Sequence, residues 1–418
     1  MRTLFRPVIG LMFGALFLAG CQTTSGSSSG IDIGPQLSSL VNKAMRIGQQ
    51  PVSNTDPDRP KLDIVIPVFD PGLGEAGKEY ETEGVWPELR RAEAIRFAYK
   101  LKSALEETSA FGAVRVTPDK TATGDFYVLG KIDESNGEDV EIDVQVFDIT
   151  GKRWLTDSFD HEVSASFHKN YRNKGKDPYD PVFREAAEAI VEELSYHGTP
   201  ELKNIKRVTD LRFGANFIEQ AFAEHLKVTD GTYTLASFPS DNDPMLVRTK
   251  AIRVRDQLFV DGLQDNYRSF AEKMNTSYAV WQEQSLLEIE AKSEANKKAA
   301  GEAVVGILLV GLAIAAVAAG ADADNIGNST AATTAGVVGA AAGAHFLSKS
   351  FQTNEESKVH RDALKELGES MDADLAPKVI AFEQQSVELT GTAKEQFAQW
   401  RNFLKTMYLQ ERTPGKQL

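Results

Sequence analysis

The chain has 418 residues, 42% of them hydrophobic, with 60 acidic against 46 basic side chains and a formal charge of −14. That apolar content is enough for a real core, and the length is enough for two or three domains. The acidic balance argues against a nucleic-acid or anionic-lipid partner for the chain as a whole, and a single cysteine excludes an intramolecular disulfide.

Residues 1–20 place Arg2 and Arg6 before an apolar run from Val8 to Leu18. This is the pattern of an export signal, which is set aside from fold reasoning. The run ends in Leu18-Ala19-Gly20-Cys21, which resembles the lipobox of bacterial lipoproteins. The resemblance implies cleavage before Cys21 and acylation of that residue, with attachment to the membrane through an N-terminal lipid. Two or three acyl chains anchor a protein where one binds only marginally. By the sorting rule of that family, Gln22 in place of Asp implies the periplasmic face of the outer membrane. Loss of Arg2 and Arg6 with the signal takes the charge from −14 to −16. Residues 21–60 read as a lipidated tether and linker, beginning with the Ser/Gly run 23–30.

Residues 61–198 read as an alpha/beta periplasmic domain. In 61–69, Leu62, Ile64 and Ile66 alternate with residues that are themselves largely apolar, which predicts a buried strand. Residues 87–110 predict a helix whose apolar face (Leu89, Ala92, Ile95, Ala98, Leu101, Leu105) lies opposite Arg90, Arg91, Arg96 and Lys100. Short strands follow at 114–116 and 126–132. Residues 139–148 alternate strictly, with Val140, Ile142, Val144 and Val146 on one face and Glu141, Asp143 and Gln145 on a wet one. Asn136-Gly137 and Thr150-Gly151 stand where hairpins need positive φ. Residues 153–163 predict another strand, and 181–196 a closing amphipathic helix.

The motifs Phe111 to Val116, Asp125 to Gly130 and Val144 to Trp154 resemble a domain shared by three groups. These are the curli secretion channel lipoprotein, the amino-terminal domain of TolB and the activator lipoproteins of penicillin-binding proteins. The resemblance covers about a third of the chain. It implies an anticodon-binding-like alpha/beta fold used for protein contact and ring assembly, without catalysis. Residues 71–86 depart from it as an insert, and no pore-forming hairpins are found.

Signals for chemistry are sparse. Gly72, Gly74 and Gly77 match GxGxxG after a strand, but no helix is predicted to open directly from the loop as a dinucleotide site requires. The six histidines (His161, His168, His197, His225, His345, His360) lack metal-ligand spacing, and with Cys21 committed to lipid a zinc site is not expected. No GxSxG nucleophile elbow occurs. Asp180 is placed to cap the closing helix with Pro181 in its first turn; calcium binding by Asp177 and Asp180 is the remote alternative. The expectation is a non-enzyme with no catalytic, cofactor or metal residues and no small-molecule substrate.

Residues 199–262 read as a small mixed alpha/beta unit, with a strand end and helix in 208–226 and extended segments at 233–238 and 248–254. Residues 263–418 read as a long helical hairpin. Tyr267, Phe270, Met274, Tyr278 and Trp281 form the outgoing stripe, and a continuous helix over 265–319 would run roughly 80 Å. Leu364, Leu367, Met371, Leu375, Val379 and Phe382 form the returning stripe, with a break at Pro377. The tip, 299–348, is apolar and rich in alanine and glycine. Residues 303–320 carry no charge over about eighteen residues, near the lower limit for crossing a bilayer. Gly306, Gly311, Gly320, Gly336, Gly339 and Gly343 supply close-packing positions for a membrane or for self-association.

The fold class expected is therefore α+β: an anticodon-binding-like domain followed by a helical hairpin with a glycine/alanine-rich tip. The function expected is a structural or assembly component of an oligomeric cell-envelope complex, related to secretion or a surface appendage. The alternative is a tethered regulator of a cell-wall synthase.

Overall fold

The structure is a computed structural model and describes residues 56–74, 85–217, 222–301, 357–369, 378–382 and 385–410. Cys21 and its tether, and the apolar tip with Gly306, Gly311, Gly320, Gly336, Gly339 and Gly343, lie outside the described residues.

The protein is α+β. Strand β1 (Ile64–Pro67) leads to helix α1 (Pro87–Glu107), then β2 (Val114–Thr117), β3 (Phe126–Ser135), β4 (Asp139–Asp148) and β5 (Arg153–Glu162). These form a five-stranded sheet in the order β2-β1-β3-β4-β5. β1 is parallel to both neighbours, and β3, β4 and β5 are an antiparallel meander. A parallel β1–β2 pair needs a crossover, which α1 supplies. All four residues of β1 are buried, as expected of a central strand covered on both faces. Gly137 and Gly151 have φ of 102° and 91° at the two hairpin turns, as their sequence predicts.

Helix α2 (Asp180–Ser195) packs on α1, β4 and β5. Then come α3 (Thr199–Ala215), the small hairpin β6 (Leu226–Thr229) and β7 (Thr232–Leu235), and the 58-residue helix α4 (Pro244–Gly301). After the apolar stretch the chain returns as α5 (Lys358–Glu369), the hairpin β8 (Lys378–Phe382) and β9 (Gln385–Leu389), and α6 (Ala393–Gln410). Residues from all of these segments except β6, β7 and β8 enter one buried hydrophobic cluster, and the three strands are packed against it.

Three expectations are corrected. The first concerns residues 248–254, which are helical because α4 begins at Pro244, about five turns before the helical hairpin expected from 263. Asp243 accepts from the amides of Met245 and Leu246 at 2.9 and 3.1 Å with Pro244 opening the helix, so Asp243 caps it. Leu246, Thr249, Ile252 and Asp256 are buried at helical spacing. Val208 likewise lies within α3. Second, the returning stripe is not one helix: Val379 and Phe382 belong to β8, paired with β9, where β-branched residues after Pro377 favour strand. Third, the basic side of α1 is not solvated, since Arg90 and Arg96 are buried. α1 is packed against the sheet, α2, α4 and α5, so of its basic side Arg91 stays exposed while Arg90 and Arg96 are covered.

α5 runs antiparallel to α4. Ser357 bonds Gln284 and His360 contacts Ser277, so rising numbers on one helix meet falling numbers on the other. α4 also closes the β2 edge of the sheet. The Gln264 amide accepts from Val116 N at 2.9 Å and donates to Val116 O at 2.8 Å, standing in for a neighbouring strand.

Candidate functional site

Two polar clusters lie at the two ends of α2 and are both joined to α4. The first gathers where the tether meets the body. Arg59 donates to the carbonyls of His197 and Leu194 at 2.7 and 2.9 Å, filling acceptors left open at the C-terminal end of α2. Asp125, at the start of β3, is completely buried. It accepts from Asp63 N at 2.8 Å, Lys206 Nζ at 2.9 Å and Thr209 Oγ1 at 2.6 Å, with Arg253 at 3.6 Å. Arg253 also holds Asp210 at 2.6 Å. This cluster ties β1, β3, α3 and α4 together.

The second cluster lies at the opposite end of α2. The Asp177 side chain, 6% exposed, accepts from Arg96 at 2.7 Å and Lys100 at 3.1 Å, and from Tyr179 N at 3.0 Å and Gln282 at 3.2 Å. Burial alone would raise its pKa. Arg96 and Lys100 outweigh that and hold it well below the usual carboxylate range. Asp180 pairs with Lys100 at 2.7 Å and is the first residue of α2, not its cap. The turn is made instead by the Asp177 side chain on Tyr179 N. Both carboxylates proposed as calcium ligands therefore already have cationic partners.

Deeper in, Glu93 of α1 is fully buried and accepts from Ser135 at 2.6 Å and Tyr278 at 2.8 Å. Burial pushes its pKa up, opposed by Arg90 and these hydroxyls. Tyr179 accepts from Gly137 N at 2.7 Å, and Arg96 lies 4.8 Å from the Tyr278 ring centre. This network fixes the β3–β4 hairpin and α4 on α1.

Above it, residues 164–177 enclose a cavity of about 670 Å³, bordered by Arg96, Lys100 and the Asn275–Glu283 stretch of α4. The loop is built by its own bonds: Asn170 accepts from Arg172 N at 3.1 Å, and Asn173 donates to Phe167 O at 3.2 Å. Its cations were not singled out from sequence, because a chain-wide charge of −14 hides a local run of the other sign.

The remaining motifs serve structure. Gly72 has φ of 67°, and a Cβ there would stand 1.9 Å from Ile132 O, so close approach to β3 requires glycine. Gly77 of the GxGxxG match lies outside the described residues, and among the described residues that follow Gly74 the first helix begins at Pro87. No group of metal-ligating side chains is found among the described residues, and none of their helices is long and apolar enough to cross a membrane. His345 lies outside the described residues. His197 stacks on Trp154 at 3.5 Å and contacts Glu201 at 2.8 Å, while His168, His225 and His360 lie apart from it.

The fold and its two clusters define a mixed-sheet body traversed end to end by one long helix. Comparison with known protein families, curated proteins and solved structures finds no match for the chain.

Proposed function

We propose that the protein is a lipid-anchored outer-membrane component, facing the periplasm, that acts as a structural or assembly element of an oligomeric envelope complex. The observation that carries this reading is the course of α4. It passes the tether junction, where Gln257 reaches Asp63 and Arg253 approaches Asp125. It then passes the far cluster at Gln282 and continues to Gly301. From Gln257 to Gly301 it rises roughly 66 Å at 1.5 Å per residue. The apolar stretch begins within two residues of that end. A rigid strut thus separates the point where the lipidated tether joins the body from the point where the apolar stretch leaves it.

On this reading the alpha/beta part is anticodon-binding-like. Support comes from the element order, strand, helix, four strands, helix, and from the resemblance at residues 111–154. The apolar stretch is a glycine-packed hairpin, supported by the antiparallel return of α5 beside α4. Partners are further copies of the chain or other envelope proteins. Light scattering and negative-stain imaging of the detergent-extracted, lipidated protein test this. A discrete ring or multimer that is lost when Gly339 and Gly343 are changed to Leu is expected. A monomer that captures no envelope protein would sink the assembly reading.

A further inference from the structure

We propose that the loop 164–176 and the cavity beneath it bind the phosphate headgroups of an anionic lipid surface. Lys169, Arg172, Lys174 and Lys176 fall within eight residues, and the loop contains no acid. Between them Tyr171 is 86% exposed, an aromatic ring of the kind that settles at a headgroup interface. Arg172, Lys174 and Lys176 are exposed, so their charge faces outward where the rest of the chain is net negative.

The cavity behind the loop adds hydrogen-bonding groups, although its cations Arg96 and Lys100 are already paired with Asp177 and Asp180 and Glu283 also borders it. The Arg96 side chain is 4% exposed, and its Nε has no hydrogen-bond partner. Nε2 of His168, in the same wall, is buried and equally unpartnered. A buried guanidinium N–H such as that of Arg96 Nε is costly without an acceptor, and a phosphate oxygen is an acceptor of the right kind. Position supplies the occupant. Lys169 reaches Glu290 of α4 at 3.4 Å, so the loop lies beside the last turns of the helix that delivers the chain to its apolar stretch. A cationic loop beside such a segment fits a surface of anionic headgroups better than a dissolved anion. Each lysine or arginine near such a surface contributes about 1 kcal/mol, or about fivefold in affinity.

The test uses the full chain carrying Cys21→Ser, which removes the acyl anchor, and compares phosphatidylcholine vesicles with vesicles that also contain phosphatidylglycerol. The apolar stretch contributes alike to both, so the difference reports the loop. Preference for the anionic vesicles is expected, weakening with salt. Lys174→Glu with Lys176→Glu should reduce it on the order of 25-fold. Both lysines are exposed, and circular dichroism confirms that the variant folds. Equal binding to both vesicles, or a variant that binds as well as the parent, overturns the proposal. Inorganic pyrophosphate binding without vesicle preference also overturns it, in favour of a small-anion pocket. The site does not depend on oligomeric assembly, so a monomeric protein with intact vesicle preference would separate the two readings.

Discussion

Asp125 near the tether and Glu93 at the far end are both completely buried carboxylates, each touching two or more elements, yet they are held differently. Asp125 receives a backbone amide, a hydroxyl and an ammonium group, with a guanidinium close by. Glu93 receives two hydroxyls on one oxygen, while Oε2 has no hydrogen-bond partner and Arg90 stands 3.7 Å away. Buried charge is tolerated when paired and fully bonded, and resisted when it is not. Asp125 is therefore held through ionic contacts, whereas Glu93, which lies deeper than the ionic Asp177 cluster of the far end, is held by hydroxyls and aromatic packing as an acid that burial drives toward its protonated form. The second arrangement leaves a contact that responds to pH.

The largest effect expected from breaking this contrast is at Asp125. Changing it to Ala leaves the Asp63 amide without its acceptor and Lys206 without its nearest carboxylate, while Arg253 keeps Asp210 and Thr209 keeps Ile205 O. Such a loss costs about 3–5 kcal/mol, read as a fall in the urea midpoint with little change in slope. A loss within about 1 kcal/mol would show that the cluster is not what ties α3 and α4 to the sheet. The next effect belongs to the helix pair. Gly368 of α5 lies against the start of α1 so closely that a Cβ would stand 1.9 Å from Glu88 O, a backbone atom that cannot swing aside. Gly368→Ala is expected to destabilise by about 1–3 kcal/mol and to raise hydrogen exchange selectively in residues 357–369. Unchanged exchange there would mean that α5 does not depend on this crossing.

The body was legible in sequence where one pattern had one physical cause. Strict alternation located β4, and two glycine turns located its hairpins, because a wet face and a positive φ each leave a local mark. The C-terminal third was harder. The apolar spacing from Leu364 to Phe382 fits a helix, yet it spans α5 and part of a hairpin, since short apolar runs carry both periods. A sharper local signal stood at Thr392-Ala393-Lys394-Glu395. Thr392 accepts from Glu395 N, and Glu395 accepts from Thr392 N, at 3.2 and 2.9 Å. This capping box marks the start of α6. The polar clusters were not legible, because their members come from positions up to 194 residues apart and only tertiary packing brings them together. Arg96 illustrates this: its spacing placed it on a solvated face, and α4 covered that face.

The smallest effect expected is at Glu93, and it differs from the others in its dependence on pH. A carboxyl whose folded pKa is raised binds protons more readily when folded. Its presence therefore lowers stability as pH rises through the window above the ordinary glutamate range. Asp177, with its pKa depressed by Arg96 and Lys100, acts in the opposite sense: its stabilisation is present above the ordinary aspartate range and is lost as pH falls through its folded pKa. Glu93→Gln keeps an oxygen for Ser135 and Tyr278 while removing the charge. At neutral pH the variant should lie within about 1 kcal/mol of the parent, on the stable side, and its urea midpoint should decline less steeply as pH rises above the ordinary glutamate range. Parallel pH profiles for variant and parent would mean that Glu93 stays ionised in the core with Arg90 as a sufficient counter-ion. Glu93 would then be an ionic contact like Asp125, and the contrast between the two carboxylates would disappear.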